Sequence, residues 1–160
     1  MKRFLLLTPL FFRLISFAQS YPEPDFVEKP MYYDTKENKL HAIERQIKPY
    51  KEQIMGYNQT FYYREPRSFS RFKKEEGVQF LIKLVNTIEP DLFLFLYPLT
   101  STDDSRIIKI HLSPSNPNQG FLPFHYRKVA ENLYLLTFDT LQEGEYIWYL
   151  KSASYLFAVE

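Results

Sequence analysis

The chain has 160 residues, of which 45% are hydrophobic, 18% aromatic and 24% charged, with 11 prolines and no cysteine. This composition is typical of one globular domain, because it holds too many apolar groups for a disordered chain and too much charge for a membrane bundle. The missing cysteines exclude disulfides, thiolate metal sites and a thiol nucleophile. A formal net charge of +1, without long basic runs, argues against a nucleic-acid partner.

The N-terminus has the pattern of a secretory signal peptide over residues 1 to 18. Two basic residues precede an apolar run over residues 4 to 12, and the predicted cleavage site lies between Ala18 and Gln19. An N-terminal strand or a retained anchor are the alternatives, although the apolar run is far shorter than the about 20 residues that span a bilayer. Arg13 is unusual for such a segment, because a charge there opposes insertion.

Removal of the signal peptide changes the charge balance. It takes three of the 20 basic residues and none of the 19 acidic ones, so the net charge becomes −2. Because a secretory signal peptide directs export, we expect a periplasmic or secreted protein that is not an integral membrane protein after cleavage.

Residues 19 to 30 predict an extended leader, because three prolines in ten residues fix φ and remove amide donors. Residues 31 to 160 then predict a single domain of short strands, with turn signals about every 8 to 12 residues. The predicted strands are residues 31–34, 60–64, 79–85, 106–112, 121–129, 133–138, 145–151 and 155–159. Because no convincing helix lies between them, we expect antiparallel sheets packed as a β-sandwich.

Three further segments have less regular patterns. Residues 40 to 54 fit either strands or one face of a helix, and Pro49 favours strands paired as a hairpin. Residues 92 to 97 are apolar at every position, which indicates a central strand that is covered on both sides or bent around a corner. Residues 113 to 120 have the composition of a loop.

One motif stands at the start of a late strand, where Leu141, Gly144 and Tyr146 follow the pattern L-x-x-G-x-Y. Glycine permits a tight turn there, and the tyrosine can bury its ring while its hydroxyl binds backbone at the corner. By alternation, Tyr146 and Trp148 share one face of the strand and Tyr149 lies on the other.

This motif resembles the start of a late strand in immunoglobulin-like and prealbumin-like β-sandwiches. Together with residues 79–84, 132–134 and 156–159, it resembles a group of secreted bacterial proteins of that type. Glu143 departs from the pattern, which often has proline there. The resemblance implies an immunoglobulin-like or prealbumin-like all-β sandwich, and it implies no catalytic residue.

The sequence contains no pattern that predicts a metal, a cofactor or a catalytic nucleophile. His41, His111 and His125 stand in separate segments without metal-ligand spacing. Residues 34 to 38 superficially resemble a calcium loop, but Lys36 stands where an oxygen ligand is needed, so a hairpin turn is the better interpretation. We therefore predict no cofactor and no metal.

Aromatic residues in neighbouring pairs are the remaining feature. On a strand, two neighbours point to opposite faces, so each pair places one ring in the core and one on the outer face of its sheet. Tyr33, Tyr63 and Tyr149 are the candidates for an exposed aromatic binding face. The competing interpretation is that they form cross-strand pairs with no role in binding.

These features favour an exported, non-catalytic β-sandwich that binds an unknown protein or glycan in the cell envelope. A small secreted hydrolase or carbohydrate-active enzyme is the first alternative. A subunit of an envelope protein assembly is the second.

Overall fold

The computed structural model describes residues 20–85, 88–113, 116–150 and 153–160, so the predicted signal peptide, with Ala18 and Gln19, lies outside the described residues. Within these ranges the chain forms fourteen strands and no α-helix. The strands are β1 (Met31–Asp34), β2 (Lys39–Ala42), β3 (Glu44–Gln46), β4 (Lys51–Met55), β5 (Asn58–Arg64), β6 (Arg71–Phe72), β7 (Phe80–Lys83), β8 (Phe95–Ser101), β9 (Ser105–Ser113), β10 (Asn116–Gln119), β11 (His125–Ala130), β12 (Leu133–Thr137), β13 (Gly144–Tyr149) and β14 (Ser154–Val159). Two short 3₁₀ turns, Lys74–Glu76 and Pro90–Leu92, complete the described elements.

The strands form two sheets that pack against each other. One sheet has five strands in the order β11-β12-β7-β1-β2. The other has nine, in the order β3-β14-β13-β8-β9-β5-β4, with β10 beside β9 and β6 beside β14. Neighbouring strands are antiparallel except β6, which runs parallel to β14. The predicted all-β antiparallel sandwich is confirmed.

The larger sheet folds back on itself because β8 changes partner along its length. Its residues 95–99 pair with β13, whereas Thr100 and Ser101 pair with β9. The Tyr63 hydroxyl on β5 consequently lies 3.0 Å from the Ser154 hydroxyl on β14, although three strands separate β5 from β14 in the sheet. We call β14, β13 and β8 the middle layer, and β9, β5 and β4 the third layer.

The central core lies between the five-stranded sheet and the middle layer. Phe80 and Trp148 are fully buried there, with their rings 5.7 Å apart in an edge-to-face arrangement. Tyr146 and Trp148 enter this core from β13, as the alternation predicts. Other members include Tyr32, Ile82, Leu96, Tyr134, Leu136, Tyr155 and Phe157.

A second core lies between the middle layer and the third layer. Tyr97, Ile147 and Leu156 point into it from the middle layer. The third layer supplies Phe61, Tyr63, Ile108 and Ile110. The middle layer is therefore covered on both faces, which explains why every residue of β14 is buried. The predicted central strand at residues 92–97 is confirmed in part. Residues 95–97 belong to β8, which is covered on two sides and changes from one layer to the next, whereas Leu92 ends a 3₁₀ turn and is exposed.

One end of the second core is ionic. Arg106 follows the same face of β9 as Ile108 and is completely buried. Its guanidinium donates to Glu44 Oε1 at 2.6 Å, to Glu44 Oε2 at 3.2 Å and to Ser68 Oγ at 2.6 Å. It also donates to the backbone carbonyls of Arg64 and Glu65. All five of its N–H groups therefore have an acceptor.

A second carboxylate completes this ionic network. Glu145 on β13 accepts hydrogen bonds from the Ser68 amide and hydroxyl, and from Arg71 Nη1 at 2.9 Å. The network joins the chain between β5 and β6 to β3, β9 and β13. It fixes one end of the third layer on the middle layer.

The leader packs on the outer face of the five-stranded sheet. Val27 forms a parallel bridge with Lys83, and Glu23 forms an ion pair with the Lys83 ammonium. The Tyr21 ring lies 5.6 Å from the ring of Tyr33. These contacts cover part of a face that also contains Leu81, Leu133 and Leu135.

Two predictions about single segments need correction. Residues 40 to 54 are strands, but they do not form a hairpin with one another: β2 pairs with β1, β3 with β14 and β4 with β5. Residues 113 to 120 are not simply a loop, because Asn116–Gln119 pairs with the end of β9. The pairing of β3 with β14 is long-range, whereas β10 forms a local hairpin with the end of β9. Local composition reveals neither pairing.

Candidate functional site

An open groove of about 560 Å³ lies beside the second core, along β4 and β5. Its floor contains Phe61 and Tyr63 of β5 with Tyr149 of β13. Glu52 of β4 and Gln59 of β5 add a carboxylate and an amide to its lining. The volume falls within the range of small-molecule binding sites.

The floor of the groove is rigid because its side chains are fixed by contacts from several layers. The Tyr63 hydroxyl is 3.0 Å from Ser154 Oγ, and both residues are buried. The Phe61 and Tyr149 rings lie 6.0 Å apart with an angle of 32° between their planes. Tyr149 also contacts Tyr97 edge to face at 6.5 Å. Tyr149 is only partly buried, so it presents an aromatic ring and a phenol to the groove.

The phenols at the floor remain neutral well above neutral pH. Burial raises the pKa of Tyr63 to about 12, and the Glu52 carboxylate adds to the rise. Burial, followed by Glu52, also raises the pKa of Tyr149. Both tyrosines therefore keep their O–H groups, while Glu52 supplies acceptor oxygens at the side of the groove. A ligand with hydroxyl groups and an apolar ring face would match these groups.

The structure brings together two of the three predicted aromatic residues and separates the third. Tyr63 and Tyr149 meet at the groove, but Tyr33 lies on the outer face of the five-stranded sheet, where it is 2% exposed. Tyr63 is itself 0% exposed, so it supports the floor and does not present an open ring. The prediction of one exposed face formed by all three residues is therefore wrong. Alternation assigns both residues to an outer face, but other parts of the chain cover these faces. The leader and neighbouring strands cover Tyr33, and Tyr63 is buried in the second core between the middle and third layers.

The L-x-x-G-x-Y motif has a structural role at the start of β13. Leu141 and Tyr146 are buried in the central core, and the Tyr146 hydroxyl donates to the carbonyl oxygen of Gln142 at 2.7 Å. Gly144 lies directly beside this ring, since a Cβ atom at this position would be 3.6 Å from the Tyr146 hydroxyl oxygen. The predicted bond from the tyrosine hydroxyl to backbone is confirmed. The motif lies on the central-core side of β13, away from the groove.

Sequence reasoning missed Glu52 and Gln59. Glu52 stands in the segment whose secondary structure the sequence left open, and Gln59 precedes a predicted strand without any motif. The register Glu52↔Phe61 and Ile54↔Gln59 places these residues on the inner side of the third layer. No local signal in the sequence indicates that register, because it depends on how the third layer folds over the middle layer.

A separate cluster of polar groups lies at the turn between β1 and β2. Ligand atoms of Asp34, Glu37 and His41 lie within 4.8 Å of one another. Asp34 Oδ1 accepts the amides of Lys36 and Glu37, and these backbone hydrogen bonds lower the pKa of Asp34. Glu37 is in turn paired with Lys39 at 2.9 Å. Local hydrogen bonds and ion pairs thus account for this arrangement as the hairpin turn that the sequence predicts.

Within the described ranges, no helix has the length and apolar character needed to cross a membrane. Comparison of the chain with family models, with curated proteins and with solved structures finds no match.

Proposed function

We propose that this protein is an exported, non-catalytic binding module whose ligand site is the groove beside β4. The observation that carries the proposal is the partly exposed Tyr149 ring, which lies in the groove together with the Glu52 carboxylate and the Gln59 amide. Aromatic rings next to hydrogen-bonding side chains on a rigid floor suit a glycan, which offers apolar ring faces and many hydroxyl groups. The resemblance of the L-x-x-G-x-Y segment to secreted bacterial β-sandwiches agrees with this role and remains part of the proposal.

The chemistry of the groove favours binding over hydrolysis. Glycoside hydrolysis requires two carboxyl groups on opposite sides of the scissile bond, and Glu52 is the single carboxylate among the described residues that line the groove. The Ser154 hydroxyl is buried and engaged with Tyr63, so it is not available as a nucleophile. A small secreted hydrolase or carbohydrate-active enzyme is therefore the less favoured alternative.

The test of the groove is binding to a panel of soluble glycans, measured by calorimetry with the purified protein. We expect Tyr149→Ala to weaken the strongest interaction at least tenfold, because it removes the exposed ring of the floor. Tyr57→Ala is the matched control, since this tyrosine is 60% exposed and lies outside the groove lining. Equal affinity of both variants for every bound glycan would reject the groove as the site.

The same panel separates a binding module from an enzyme. We expect glycans to be recovered unchanged after long incubation with the wild-type protein. Product formation that disappears in Glu52→Gln would establish the enzymatic alternative. Glu52→Gln keeps the shape of the side chain but removes its charge, so binding without turnover should survive in weakened form.

Export is tested by fractionation and by N-terminal sequencing of the protein from the cell. The proposal expects a mature chain that begins at Gln19, found in the periplasm or in the medium. A cytoplasmic protein that retains residues 1 to 18 would contradict this part of the proposal.

A subunit of an envelope assembly is a second candidate, and one observation favours it. The strand β4 is the last strand of the nine-stranded sheet, and all five of its residues are exposed. Ile54 and Met55 are 61% and 77% exposed at this edge. Unpaired edge strands with apolar side chains pair readily with other chains.

Sedimentation of the wild type and of Ile54→Lys tests this assembly role. A concentration-dependent oligomer that the substitution abolishes supports the role, and a monomer at every concentration excludes self-assembly.

A further inference from the structure

The outer face of the third layer carries cations that have no acidic partner. Lys51, Arg64 and Lys109 are exposed on β4, β5 and β9, and the register of these strands places all three on the side away from the second core. Within the described residues, none of the three forms a salt bridge, whereas Lys36, Lys39 and Lys83 each pair with a carboxylate. We call this side of β4, β5 and β9 the cationic face.

No acidic side chain of these three strands points to the cationic face. Glu52 is their one acid, and the pairing Glu52↔Phe61 places it on the inner side. The sequence of β10, which pairs with the end of β9, contains no acidic residue. Asp103 and Asp104 lie in the turn beyond the Arg64 end, so the uncompensated charge is strongest at Lys51 and Lys109.

Aromatic rings hold two of these cations in place. The Lys51 ammonium lies 4.8 Å from the centre of the Tyr62 ring, and the Tyr62 hydroxyl donates to Gln53 Oε1 at 2.7 Å. The Arg64 guanidinium lies 5.5 Å from the Tyr50 ring. These contacts orient the cations while their N–H donors stay available to a ligand.

The spacing of the cations suits a polymer and not a small anion. Strands lie about 4.8 Å apart and rise about 3.4 Å per residue, so the Cα atoms of Lys51 and Lys109 are about 12 Å apart. Thr60 and Gln53 lie on the same face as these lysines and offer neutral hydrogen-bonding groups. An acidic polysaccharide, whose sugars carry both carboxylate and hydroxyl groups along an extended chain, presents the complementary pattern.

We propose that the cationic face binds an acidic polysaccharide. Lys51 also lines the groove, whereas Arg64 and Lys109 do not. Lys109→Gln therefore changes the cationic face without changing the lining of the groove. Nucleic acid fits this face less well. Duplex DNA carries about one charge per 1.7 Å of its axis and needs a denser array of cations. Single strands bind by stacking bases on aromatic rings, whereas Lys51 and Arg64 already cover the rings of Tyr62 and Tyr50.

The experiment measures binding of the purified full chain to alginate, a uronic-acid polymer, by calorimetry at two salt concentrations. We expect binding to alginate that weakens with salt, and no binding to the neutral polymer dextran. Lys109→Gln should reduce affinity about fivefold, and Lys51→Gln with Lys109→Gln about twentyfold. The control pair Lys73→Gln with Lys128→Gln removes the same charge from exposed positions elsewhere and should leave affinity unchanged.

Several outcomes would overturn the proposal. These are the absence of alginate binding by the wild type, equal binding of dextran, and equal loss in the test and control pairs. Tighter binding of a single-stranded oligonucleotide than of alginate would replace the polysaccharide with nucleic acid. Tyr149→Ala should bind alginate as the wild type does, so failure at the groove and failure at the cationic face are distinguishable. Thermal unfolding by circular dichroism confirms that each variant is folded.

Discussion

The central core and the second core share the three strands of the middle layer, but they stabilise the protein in different ways. The central core is built from apolar and aromatic side chains, with Phe80 and Trp148 fully buried at its centre. The second core is apolar around Ile147 and Leu156 but ends in a buried guanidinium with two carboxylates. Burial of apolar area is non-directional, whereas a buried charge depends on a full set of correctly placed partners.

This difference explains how the two cores tolerate change. A large-to-small substitution in the central core reduces the free energy of unfolding, because the contacts of the removed atoms are lost. The remaining side chains keep their apolar neighbours. Loss of one ionic partner in the second core leaves other charges buried without compensation. The ionic end therefore fixes the position of the third layer, on which both the groove and the cationic face depend.

The largest expected effect is in the central core. Phe80→Ala should reduce the free energy of unfolding by about 3 to 5 kcal/mol, because it removes a fully buried ring that contacts Trp148 and Phe157. Trp148 is the single tryptophan of the chain, so its fluorescence in a urea titration reports the change. Phe69→Ala is the matched control, since Phe69 is 79% exposed. A similar cost for both variants would show that the central core is not packed as described.

The next effect breaks the ionic end of the second core. Arg106→Met should reduce the free energy of unfolding by about 3 kcal/mol. It removes the cationic partner of the buried Glu44 carboxylate and the side-chain donor to two backbone carbonyls. Adding Glu44→Gln should recover part of this loss, since it removes a buried charge that has lost its partner. The exposed Arg67→Met is the control and should change the urea midpoint little. If Arg106→Met is no more destabilising than Arg67→Met, the network does not hold the third layer.

A third effect appears at alkaline pH. The pKa of Tyr63 is raised from about 10 to about 12 by burial, so the folded state keeps this phenol protonated to a higher pH than the unfolded chain does. Its contribution to stability is therefore complete below pH about 10 and is lost as the pH rises to about 12, a change of about 3 kcal/mol. Urea titrations over this pH window should show a shallower decline in Tyr63→Phe than in the wild type. An identical decline in both would mean that Tyr63 ionises as readily in the folded protein as in the unfolded chain.

The smallest effect concerns the strand start on the central-core side of β13. Tyr146→Phe should cost about 1 kcal/mol, because it removes the hydrogen bond to the Gln142 carbonyl and retains the buried ring. Tyr57→Phe removes an exposed hydroxyl and should stay within about 0.5 kcal/mol of the wild type. Both are compared by their urea midpoints. An unchanged urea midpoint for Tyr146→Phe would indicate that water replaces the lost hydrogen bond without loss of stability.

Alternation in the sequence predicted the fold class and the faces of several strands. It placed Tyr146 and Trp148 together and Tyr149 opposite them, as the two cores show. It also led to a wrong conclusion at Tyr33 and Tyr63, because alternation says which face a residue takes and not what covers that face. The third layer covers Tyr63, and Tyr33 packs with Leu81 and the leader.

The candidate site was only partly predictable for the same reason. Tyr63 and Tyr149 were identified as aromatic residues on strands, yet they belong to segments that are far apart in the chain. Arg106 is the first residue of the predicted strand 106–112 and belongs to no motif, although it is the centre of a buried network. Its partners Glu44, Ser68 and Glu145 come from three other segments, so local sequence carries no signal of their meeting.

By itself, the sequence determined that this chain forms short antiparallel strands around an aromatic core, because side-chain alternation and turn residues act locally. It also determined the bond between the Tyr146 hydroxyl and the backbone four residues earlier. Only the tertiary structure decided which sheet faces are covered, since that depends on the fold of the nine-stranded sheet over itself at β8. The same fold creates the groove at Tyr149 and leaves Lys51 and Lys109 on a side of β4, β5 and β9 to which no described acid of these strands points. Long-range packing thus decides which tyrosines reach the groove and which cations lie together on the cationic face, and composition alone reveals neither.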